Sequence, residues 1–138
     1  MIDINDVGVS DNAIVNTSEV ADYLGVSYTY WSQLVLKGIP PKSVAPHGAK
    51  PRYTAGQIRA FKKEMVENGI LPLLEYGVDV ATADDNSFVY KQDLAKYLRI
   101  SPTTVDSWIS EGKLPEPYRY KGFRPRWKVG EIRNKLLG

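Results

Sequence analysis

The chain has 138 residues, 43% of them hydrophobic and 11% aromatic, a formal net charge of +2, no cysteine and one histidine. This composition fits a folded protein and leaves no material for a disulfide scaffold or a Cys-ligated metal site. His47 alone cannot furnish a poly-His metal site or a convincing catalytic triad, so no cofactor is expected.

No apolar run approaches the roughly 20 residues that span a bilayer, and no membrane partner is expected. The acidic opening Met1-Ile2-Asp3-Ile4-Asn5-Asp6 does not read as a signal or transit peptide, so the expected compartment is the cytoplasm. Charge is unevenly spread. Residues 1–69 carry seven Lys/Arg and seven Asp/Glu, and residues 70–138 carry eleven and nine. The stretch 119–128 holds Arg119, Lys121, Arg124, Arg126 and Lys128 without an acid. A local basic stripe in a balanced chain is the footprint of a phosphate-binding surface.

In chain order, residues 1–15 read as an N-terminal arm. Asn16 with Glu19 makes a capping pair for a helix over 17–24, whose apolar face is Val20, Ala21 and Leu24. A short turn, Gly25-Val26, leads to Ser27, the N-cap of a second helix. That helix puts Trp31, Leu34 and Val35 inward at i, i+3, i+4 spacing and stops at Gly38. Residues 39–53 are too broken by Pro and Gly for helix. Their flanks, Ser43-Val44-Ala45 and Arg52-Tyr53, are expected to pair as a short hairpin with Gly48 near its tip. Thr54 and Gln57 form a capping box for a third helix that runs to Asn68, with Gly69 as its stop.

Residues 70–88 read as a partly ordered linker with an apolar stretch (Leu71, Leu73, Leu74, Tyr76) and an acidic pair (Asp84, Asp85). The same order then returns: a helix over 91–98, the turn Arg99-Ile100, and Ser101 capping a helix that opens on Pro102. That helix turns Val105, Trp108 and Ile109 inward and ends at Gly112. Next comes a broken stretch over 113–127, with 118–120 and 124–127 as hairpin flanks around Gly122. A last helix starts near Val129.

The recurrence is also literal. A shift of 74 residues aligns 20–64 with 94–138 without a gap, and 13 of the 45 positions are identical, where about three are expected by chance. Among them are Tyr23/Tyr97, Ser27/Ser101, Thr29/Thr103, Gly38/Gly112, Pro51/Pro125, Arg52/Arg126 and Arg59/Arg133. The expected fold is mainly α with small β wings, arranged as two tandem modules over 16–69 and 89–138.

Helix, turn, helix, hairpin, helix is the winged helix-turn-helix order. The run Leu94-Ala95-Lys96-Tyr97-Leu98-Arg99-Ile100-Ser101-Pro102-Thr103-Thr104-Val105 carries a family likeness, followed by Glu111-Gly112-Lys113-Leu114-Pro115 and Arg124-Pro125-Arg126-Trp127. So does Glu19-Val20-Ala21-Asp22-Tyr23-Leu24-Gly25-Val26-Ser27 in the first copy. The chain resembles the excisionase and MerR-like winged-helix superfamily over most of its length. That resemblance implies a sequence-specific double-stranded-DNA-binding protein of phage or mobile-element type, an excisionase or a transcriptional regulator. It further implies self-association on DNA and a recombinase or polymerase partner.

In such a protein the second helix of each module enters the major groove. The candidate contacts there are Tyr28, Thr29, Tyr30, Gln33 and Lys37, and Thr103, Thr104 and Ser107. The wings bring Lys50 and Arg52, and Arg119, Lys121, Arg124, Arg126 and Lys128, to the backbone or minor groove. Arg52 and Arg126 have a competing structural role, pairing with an acid at the base of the wing. Trp31, Trp108 and Trp127 are expected in the core. The chain departs from the family at Asp106 and Ser32, where many members carry Arg; Asp106 either accepts from a cytosine amino group or points away. The competing function is a protein-interaction module on the same scaffold, favoured by the acidic arm, Asp106 and Glu111. No Gly-rich phosphate loop or nucleophile–base pair suggests an enzyme.

Overall fold

The computed structural model describes residues 2–73, 77–120 and 122–137. These form six helices and two small two-stranded antiparallel sheets, a mainly helical chain with a little β structure. Two compact units divide it, Met1–Glu67 and Asn68–Gly138.

In the first unit, strand β1 (Ile14–Asn16) leads into helix α1 (Thr17–Leu24), followed by α2 (Tyr28–Leu36), strand β2 (Arg52–Thr54) and α3 (Ala55–Glu67). Asn16 and Glu19 close the expected capping box, each backbone N–H bonded to the other side chain at 2.9 Å. The Ser27 hydroxyl accepts from the Tyr30 N–H at 3.0 Å. Thr54 and Gln57 cap α3 reciprocally at 3.0 and 3.1 Å. The turn between α1 and α2 needs a left-handed residue, and Gly25 supplies φ 73°. Val15, Val20, Leu24, Trp31, Leu34, Tyr53, Ile58, Phe61 and Met65 form the core. Trp31 stands edge-on to Tyr53 at 5.6 Å and to Phe61 at 6.2 Å, an arrangement that suits the ring quadrupoles.

The second unit repeats the order: β3 (Phe88–Tyr90), α4 (Lys91–Leu98), α5 (Pro102–Ser110), β4 (Arg126–Lys128) and α6 (Val129–Leu137). Val89, Leu94, Val105, Leu114, Trp127, Val129 and Ile132 are its buried core, and Trp108 and Ile109 pack against it half-buried. The Trp127 indole N–H donates to the Pro115 carbonyl oxygen at 3.0 Å.

Three expectations change. The strand partner of β2 is β1, with Val15 opposite Tyr53, and β4 likewise pairs with β3, with Val89 opposite Trp127. The anticipated hairpins contribute less. Residues 43–45 form no strand and join β2 through the Val44 N–H to Arg52 carbonyl bond at 2.8 Å and the Ser43 hydroxyl. Tyr118 makes a single bridge to Arg126. Prolines at 46, 51, 117 and 125 lack the N–H that a longer ladder needs.

Secondly, the arm and the described parts of the linker contribute buried residues to the two units. Ile4 and Val15 in the first, and Ile70, Leu71, Val80 and Phe88 in the second, are buried. The expected linker residues Leu74 and Tyr76 lie outside the described residues. Thirdly, Val35 is 43% exposed, because α2 turns inward only along the Trp31–Leu34 edge.

Candidate nucleic-acid interface

Helix α2 is held by its buried edge, and its opposite face is open. Tyr28 is 62% exposed and Leu36 86%. Thr29, Gln33 and Lys37 are exposed beside them, and Tyr30 is half-buried. The segment 28–54 contains Lys37, Lys42, Lys50 and Arg52 and no acid. All seven acids of this unit lie at 3–22 and 64–67, so the segment 28–54 is cationic although the unit's formal sum is zero. Lys50 is exposed. Arg52 is half-buried and donates to the Pro51 carbonyl oxygen at 2.9 Å.

Helix α5 presents the equivalent face with different chemistry. Thr103 and Ser107 are exposed, and Thr104 is half-buried with its hydroxyl 2.9 Å from that of the N-cap Ser101. Ser107 and Ser110 hydroxyls point back to the Thr103 and Asp106 carbonyl oxygens at 3.5 and 3.2 Å. Asp106 points outward and pairs with Lys91 of α4 at 2.9 Å. Glu111 pairs with Lys113 at 3.2 Å. Nothing local in the sequence marks Lys91, because its partner is 15 residues away on another helix and no spacing announces such a pair.

The basic stripe of the second unit separates into two roles. Arg119 and Arg124 are exposed and Lys128 is half-buried. The Arg124 guanidinium lies over the Tyr90 ring at 4.5 Å, an aromatic seat that a cation favours. A cavity of about 280 Å³ is lined by Lys91, Gln92, Pro102, Arg124 and Pro125. Lys121 lies outside the described residues. Arg126 must be withdrawn from the phosphate contacts. It is 4% exposed, its Nε donates to the Arg124 carbonyl oxygen at 3.1 Å, and its Nη1 donates to the Gly69 carbonyl oxygen at 3.0 Å. A guanidinium that closes two backbone carbonyls in the interior is a structural fastener.

Beneath this surface, the Tyr118 hydroxyl donates to both oxygens of Glu131 at 2.7 and 3.0 Å. That bond to a carboxylate, with some burial, pushes the Tyr118 pKa up to about 12. Burial also raises the pKa of Tyr53. Among the described residues no group of three or more His, Cys, Asp or Glu could hold a metal ion, and no helix is long and apolar enough to cross a membrane.

No family model, curated protein or solved structure matches the chain.

Proposed function

We propose that the chain binds double-stranded DNA as a tandem winged helix-turn-helix protein, with α2 and α5 as the helices that meet the duplex and the following loops lying along its backbone. The observation that carries this reading is the acid-free segment 28–54 with its open α2 face. A helix with Thr, Gln and Lys outward in a segment without acids suits a major groove flanked by phosphates, where Gln bonds adenine bidentately and Thr bonds or packs on thymine. Arg119 and Arg124 extend the cationic surface in the second unit. The role we favour is that of a mobile-element protein, an excisionase or a transcriptional regulator.

The test is a fluorescence-anisotropy titration against random-sequence duplex at several salt concentrations. Lys37, Lys50, Arg52, Arg119, Arg124 and Lys128 are the described cations among the candidate contacts that are not buried. Their engagement gives a log–log salt slope of roughly −5 and a micromolar or tighter affinity at low salt. No binding at low salt overturns the proposal.

A second reading rests on one observation. Tyr28, Val35 and Leu36 are exposed on α2, and apolar side chains on an open helix face also suit a protein partner. Leu36→Ser separates the two: it leaves random-duplex affinity nearly unchanged if the face reads DNA, and abolishes partner capture if the face docks protein.

A further inference from the structure

The two units repeat one architecture, but their outward helices are not chemically equivalent. On α5, Thr103 is exposed like its counterpart Thr29, but most of the other outward polar side chains are already bonded within the unit. Asp106 is held by Lys91 at 2.9 Å, Glu111 by Lys113 at 3.2 Å, and Thr104 by Ser101 at 2.9 Å. Ser107 and Ser110 bond their own helix. On α2, Thr29 and Gln33 are exposed and stand at the same positions as Thr103 and Ser107. Lys37 replaces the acid Glu111, and Ser32 replaces Asp106.

Electrostatics sharpens the contrast. The α5 face carries two carboxylates, each cancelled by one lysine, so it brings no net attraction for the phosphates that line a groove. Releasing Asp106 to accept from a cytosine amino group breaks its ion pair and exposes a bare carboxylate to those phosphates. The α2 face needs no such exchange. Its amide and hydroxyl are available to base edges, and Lys37 attracts the backbone alongside.

From these differences we infer that sequence is read by the first unit alone, through Thr29 and Gln33, while the second unit grips the backbone without base preference. This inference rests on the DNA reading above. The preferred site is then asymmetric: one short block of specified base pairs, flanked on one side by a stretch in which any sequence serves. Two equivalent half-sites, which the internal repeat by itself suggests, are not expected. Within the block, an adenine opposite Gln33 is the position of strongest discrimination, about 5- to 150-fold over the other bases, as expected for one bidentate contact.

The experiment uses the full chain. Random-duplex binding is measured first; its absence overturns the DNA reading itself and this inference with it. A preferred site is then selected from a randomised duplex library, and every position is substituted singly. A single contiguous sensitive block is expected. Gln33→Ala and Thr29→Ala should flatten the block's preference without changing the salt slope, because neither side chain neutralises a phosphate. Thr103→Ala and Ser107→Ala should change neither. Arg119→Ala with Arg124→Ala should weaken all sequences equally and flatten the salt slope by roughly 2. Circular dichroism melting checks that each variant is folded. Two sensitive blocks, a block that follows Thr103 and Ser107, or binding with no base preference at any position would each overturn the inference.

Discussion

Arg59 reaches from α3 to Asp11, Nη1 to Oδ1 at 2.6 Å, and its other nitrogens take the carbonyl oxygens of Ile4 and Asp6. Arg133 does the same in the second unit, holding Asp85 at 2.5 Å and the Val80 carbonyl oxygen at 2.9 Å. Asp11 and Asp85 are 74 residues apart, as are Asp6 and Val80. The backbone agrees: Gly56 donates to the Asp11 carbonyl and Gly130 to the Asp85 carbonyl, both at 2.8 Å. The repeat therefore begins before β1, and the guanidinium fork ties each leading segment to the last helix of its unit.

Because the fork serves several acceptors at once, lysine cannot replace it. Arg59→Lys and Arg133→Lys should each lose about 1.5–3 kcal/mol, the scale of hydrogen bonds to a charged group. Chemical denaturation measures this, and hydrogen exchange should show the leading segment opening first. A loss below about 0.5 kcal/mol would mean the fork is ornamental.

Neighbouring arginines on the β4 approach should behave oppositely. Arg126→Ala leaves the Gly69 carbonyl buried without its donor and should cost about 2–4 kcal/mol. Arg124→Ala removes an exposed cation seated over Tyr90, a contact worth about 0.5–1 kcal/mol, and should show its effect in duplex affinity. Urea titration and anisotropy on the two variants check the division.

At the helix–helix turn, the first unit uses Gly25 and the second uses Arg99, the only described non-glycine residue with positive φ, at 58°. A side chain in that conformation costs about 1 kcal/mol relative to glycine. Arg99→Gly should therefore raise stability by about 0.5–1 kcal/mol. Gly25→Ala should lower it by a similar amount, from strain alone, because a Cβ there meets nothing within 4 Å.

Tyr118 gives a pH signature. Its folded pKa of about 12 lies above the ordinary 10.0, so folding favours the protonated phenol. The stabilisation is complete below pH 10 and is lost as pH rises from about 10 toward 12. Thermal unfolding of the wild-type chain should weaken across that window more steeply than that of Tyr118→Phe. Parallel curves would show that the Glu131 bond contributes nothing.

Much of this organisation was legible in the chain. Helix boundaries at 17–24 and 91–98, the caps at Asn16, Ser27, Thr54 and Ser101, and the stops at Gly38 and Gly112 follow from local chemistry that acts within a few residues. The outward position of Thr29, Gln33, Thr103 and Ser107 followed from helical periodicity. The β1 and β3 strands were missed because three residues carry too little alternation to register, although Asp11-Asn12 and Asp85-Asn86, with Val15 and Val89, continue the same repeat.

Arg126 stayed ambiguous between phosphate contact and a structural role for a related reason. Within Arg124-Pro125-Arg126 the two arginines look alike, and only pairing with β3 decides which one faces inward. Sequence by itself determined the periodic and the local: the repeat, the helices, their caps and the charge-free stretch of α2. Tertiary structure alone decided which of two equivalent cations is buried, that Lys91 silences Asp106, and how each core is filled. Trp31 and Tyr53 fill the first core where Val105 and Trp127 fill the second. The bulky ring changes position between units because packing constrains the total volume, a sum over residues that no single position records.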